Sequence, residues 1–181
     1  MALQILDTGV VSKVPNGRLR VGNRYNRGYR IMEPTADLHG RLAAVCSGTI
    51  IVALYVVGWV NNTELRHFVQ TLPLWLGVVL GLLHARTVRW VVLPLYLFWL
   101  VIMVLIWLYL LGWSRVVTGH FSPIEIAMTL AIGIASLLGL VRCVQGRQEV
   151  KPLVASGVFL LSAAFQFVTF RISLLPGIAR R

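Results

Sequence analysis

The groups in this sequence that could do chemistry are few: four histidines, two cysteines and six acids. A helical bundle ligates haem with histidines that face one another across helices. His67 and His120 fall at the same end of their hydrophobic segments, so they are the pair that could meet. His84 falls at the other end of the segment that follows His67, and His39 precedes the first segment. We read all four as interfacial histidines bonded to water or backbone. A haem or metal on His67 and His120, giving a membrane redox or lipid-modifying enzyme, is the minor alternative.

Glu64 and His67 have the Glu-x-x-His spacing of di-iron bundles, but that site needs a second such pair and two further carboxylates. No second pair exists. Gly-x-Ser-x-Gly, paired-cysteine and phosphate-cradling glycine motifs are also missing. Cys46 and Cys143 read as small apolar fillers near helix ends. Asn61-Asn62-Thr63 matches a glycosylation sequon, which implies nothing in a bacterial protein. The expectation is a non-catalytic chain with no cofactor and no metal.

Glu125 has a simpler assignment. Ser122-Pro123-Ile124-Glu125 is a capping box, with Ser at the cap, Pro at the first helical position and Glu three residues after the cap. The carboxylate then also suits the positive end of its helix.

These groups have to be held by hydrophobic helices. Of the 181 residues, 57% are hydrophobic and 13% charged, against roughly 25% charged in soluble domains. The apolar residues form blocks of membrane-crossing length, at 42–60, 68–83, 91–113, 124–144 and 153–170. The expected fold is an all-α integral membrane bundle of about five transmembrane helices over residues 42–175. A basic arm precedes it (1–41) and a short basic tail follows (176–181). Four spans with a re-entrant or interfacial last helix is the alternative. No signal peptide with an apolar core and cleavage site is evident in the first 41 residues, so the first span is expected to do the targeting. No internal repeat is evident, which weighs against inverted-repeat transporters.

The net charge of +11 reports orientation before it reports a ligand. With the amino terminus inside, twelve of the 17 Lys and Arg face the cytoplasm and five face away, as the positive-inside rule requires. In the arm, Arg18, Arg20, Arg24, Arg27 and Arg30 interleave with Tyr25 and Tyr29. They suit anionic lipid headgroups or a protein partner and are not expected to bind nucleic acid. Residues 14–21 have the turn chemistry of a small hairpin, with an irregular or disordered arm as the alternative.

The middle of every span lacks Asp, Glu, Lys, Arg and His, so no charged pore or proton path is expected. Ala127, Ala131, Ala135 and Gly139 recur every four residues, and Gly77 and Gly81 share that spacing. Small residues so placed let membrane helices approach closely, and the two faces are expected to meet each other or a partner chain. The segment 91–111 has no small residues and reads as lipid-exposed or partner-facing. The leading expectation is an accessory or scaffold subunit of a larger complex in the bacterial inner membrane, packing on other subunits or on itself. A transporter or channel component for an apolar or lipidic substrate is second.

Overall fold

A computed structural model describes residues 11–13, 19–21, 34–115, 121–145 and 150–179, with side chains from residue 38 onward. The chain divides into two compact units, Met1–Glu33 and Pro34–Arg181. In the first, β1 (Val11–Lys13) and β2 (Leu19–Val21) pair antiparallel with Ser12 opposite Arg20. The hairpin expectation holds for these strands; Arg18, Arg24, Arg27 and Arg30 lie outside the described residues, as does the Arg20 side chain.

The second unit comprises α1 (Pro34–Val60), α2 (Glu64–Leu82), α3 (Val88–Leu110), α4 (Pro123–Gln145), α5 (Pro152–Ser173) and a single turn, α6 (Pro176–Ala179). Five of these helices are long and apolar enough to cross a membrane, which is compatible with a multi-pass membrane protein. α5 is one unbroken helix of 22 residues. At 1.5 Å per residue it is about 33 Å long, enough for a hydrocarbon layer of ~30 Å.

Local chemistry ends the helices. α1, α2 and α3 close with paired backbone bonds around a left-handed residue: Asn62 (φ 52), His84 (φ 52) and Gly112 (φ 77). In each, the following N–H reaches back five residues: Thr63 to Gly58, Ala85 to Leu80 and Trp113 to Leu108. This Schellman geometry satisfies carbonyls that a helix end would otherwise strand.

The helices close a ring in the order α1, α2, α5, α3, α4, and α3 also touches α1 and α2. The apolar core draws on α1, α2, α3 and α4 and centres on Ile50, Leu74, Leu95, Tyr96 and Ile132. α3 is thus an interior helix on one side, where Val92, Leu95 and Tyr96 are wholly buried and Trp99 nearly so, and the expectation of a lipid-exposed or partner-facing helix fits only its other side, where Leu97, Val101 and Val104 are exposed. The physical reason is complementarity, because the bulk of α3 fills space left by small residues on α1 and α4.

α5 inverts the usual pattern. Its buried positions are Ala155, Ser162, Gln166, Thr169 and Ser173, while Leu153, Leu160, Leu161, Phe167 and Val168 face outward. The polar side groups lie on a seam of alternating three- and four-residue steps, the spacing that keeps one face toward a partner.

Candidate functional site

The packing residues sort into close approaches along α1. Gly81 of α2 lies against α1 so tightly that a Cβ there would be 2.6 Å from the Gly40 carbonyl oxygen and 2.9 Å from the Ala44 nitrogen. Gly77, one turn earlier, leaves the space that Ser47 occupies; a Cβ there would stand 2.5 Å from the Ser47 hydroxyl. α2 and α4 make no contact with each other among the described residues. Their small faces therefore do not meet: the α2 glycines serve α1, and Gly139 of α4 receives the Tyr96 ring of α3.

Along α4 the expected stripe turns away from the interface. Each four-residue step advances ~40° around a helix of 3.6 residues per turn, so Ala127 is exposed, Ala131 half-buried, and only Ala135 and Gly139 are buried. The seam that packs is Glu125, Thr129, Ile132, Ser136, Gly139 and Cys143.

Two polar clusters cross-brace the bundle. At mid-bundle the Tyr96 hydroxyl donates to the Ala43 carbonyl at 2.8 Å and lies 2.9 Å from the Ser47 hydroxyl. Tyr96 is fully buried, so one phenol ties α3 to α1 while its ring fills the notch at Gly139. Sequence patterns alone do not reveal this node; its signal is a phenol on one helix and glycine on another, and recognising it requires knowing that the two helices meet.

The second cluster lies at the end where α1 stops and α2 and α4 start. The capping box forms: the Ser122 N–H donates to Glu125 Oε2 at 2.7 Å, and the Glu125 N–H donates to the Ser122 hydroxyl at 3.3 Å. The other carboxylate oxygen accepts from the Asn61 amide, just past the end of α1. Glu125 is thus a buried strut between two helix ends. Alongside, His67 Nδ1 is 3.0 Å from Gln70 Oε1, one turn further along α2. Gln70 donates to Ser173 at 2.9 Å, and Ser173 to the Phe170 carbonyl at 2.7 Å. Asn61→Ala is expected to lower stability by about 1–2 kcal/mol, because the buried carboxylate loses a donor; equilibrium unfolding in detergent measures it.

The partner proposed for His67, His120, lies outside the described residues. No group of three His, Cys, Asp or Glu is placed to hold a metal among the described residues. The hydrogen bonds of the two polar clusters join helices to one another. No protein family, curated protein or solved structure matches this chain.

Proposed function

We propose that the chain is a non-catalytic accessory or scaffold subunit, built into a larger assembly in a bacterial inner membrane with its amino-terminal arm in the cytoplasm. One observation carries the reading. A groove of about 620 Å³ runs between α3 and α5, lined by Pro94, Phe98, Val101, Phe159 and Ala163 among others, and Gln166 belongs to its wall. Gln166 is 1% exposed, and neither of its amide atoms has a hydrogen-bond partner among the described residues. In hydrocarbon a polar group with no partner is costly. Side-chain amides serve as hydrogen-bonding groups between membrane helices. A partner helix in this groove supplies the missing bonds once the side chain rotates outward.

Purification in mild detergent tests the reading. The chain is expected to carry a stoichiometric partner or a second copy, and Gln166→Leu to weaken that association by about three- to tenfold while leaving the fold intact. A lone monomer in repeated preparations overturns it.

A further inference from the structure

At the end of the bundle where α1 begins, two arginines and a histidine from three helices line one opening: His39 of α1, Arg89 of α3 and Arg142 of α4. The cavity is about 30 Å³, room for one water-sized group. Its floor is apolar, with Val92 wholly buried and Val88 and Ala43 nearly so. Its rim is basic: His39 and Arg89 are half-buried and Arg142 exposed. The Arg89 guanidinium sits 5.0 Å over the Trp90 ring, a stacking that Arg forms readily and that holds its N–H fork in place. Glu64 and Glu125 belong to the opposite end of the bundle, and the side chains of Asp37 and Glu149 lie outside the described residues.

We propose that this opening binds the phosphate of an anionic membrane lipid. The guanidiniums of Arg89 and Arg142 at the rim grip the phosphate oxygens, the geometry in which Arg binds phosphate best. A lipid is favoured over a soluble anion because the helices carrying the site expose apolar side chains beside it: Leu38 and Val45 on α1, and Val141 and Val144 on α4. An acyl chain lies along that surface while the headgroup meets the rim. Basic pockets between helices at a membrane face take such headgroups. The site rests on the membrane-spanning part of the function proposed above and not on membership of a complex.

The test is titration of the detergent-solubilised full chain with short-chain phosphatidylglycerol, short-chain phosphatidylcholine or inorganic phosphate, read by native mass spectrometry. Phosphatidylglycerol is expected to bind in preference. Each cation removed costs about fivefold, so Arg89→Gln with Arg142→Gln loses ~25-fold. Arg86→Gln with Lys151→Gln removes the same charge from exposed positions outside the cavity and keeps most of the preference. Arg142→Gln alone serves if the double variant does not fold.

Equal binding of the two lipids, or equal losses in the two double variants, overturns the site. Inorganic phosphate binding as tightly as phosphatidylglycerol keeps the phosphate site and overturns its assignment to lipid. Carbonate extraction of membranes from producing cells separates the failures. A chain released by carbonate overturns the membrane reading, whereas a retained chain without lipid preference overturns this inference alone.

Discussion

Gly81→Ala is expected to destabilise the bundle by about 2 kcal/mol even though alanine is the better helix former. Alanine for glycine inside a helix gains up to ~1 kcal/mol. Against that stands an added Cβ 2.6 Å from the Gly40 carbonyl oxygen and 2.9 Å from the Ala44 nitrogen. Both are backbone atoms, so no side-chain rotation relieves the overlap and α1 and α2 must move apart. Overpacking of this kind costs about 1–3 kcal/mol and occasionally more. Gly157 is the control, because a Cβ there meets nothing within 4 Å, and Gly157→Ala is expected to be neutral or to stabilise by up to ~1 kcal/mol. Melting temperatures in one detergent compare the two substitutions. Equal shifts would show that the α1–α2 approach does not govern stability.

Gly139→Ala is expected to cost about 3 kcal/mol, the upper part of the overpacking range. The new methyl would stand 2.7 Å from Tyr96 Cδ2 and 2.9 Å from its Cζ. A free ring would swing aside, but this one is wholly buried and its hydroxyl is bonded to α1 at Ala43 and Ser47. The tether makes a second forecast possible. Tyr96→Phe by itself loses about 1–2 kcal/mol of hydrogen bonding, yet it frees the ring to shift. The double variant Tyr96→Phe with Gly139→Ala should therefore be more stable than the sum of the single losses implies, by about 1 kcal/mol, within the range seen for residues in contact. Strict additivity in equilibrium unfolding would mean that the hydroxyl does not hold the ring.

Hydropathy made the helices legible, because each span is a long apolar block bounded by polar turns. The boundaries moved where a helix continues into polar sequence. α1 begins at Pro34 and α2 at Glu64, although the apolar blocks start at 42 and 68. Pro34 holds the first helical position, where its missing N–H costs nothing, and Glu64 favours the positive end of its helix.

The capping box was legible because both its partners lie within four residues. The partners of Asn61, Tyr96 and Gly81 lie on other helices, so their roles depend on which helices adjoin. Periodicity shows which residues share a face and is silent on what covers it. For that reason the bulk of α3 read as outward-facing, although its complement was present in Gly139. The Ala127 to Gly139 stripe packs within the chain only at Ala135 and Gly139, since four-residue steps drift around a helix whose buried seam alternates three and four.

The polar inner face of α5 bears on the order in which the molecule is made. α5 touches α2, α3 and α6, and among the described residues its buried apolar contribution is Ala155, which lies outside the main apolar cluster. Translation therefore supplies every core-forming helix before α5 emerges. When α5 arrives, two of its hydroxyl groups meet partners already in place, with Ser162 donating to the Val91 carbonyl at 2.7 Å and Gln70 donating to Ser173 at 2.9 Å. The last helix is thus fastened to the other four by hydrogen bonds as well as by apolar contact, the Phe170 ring standing edge-on to Phe98 with centroids 5.1 Å apart.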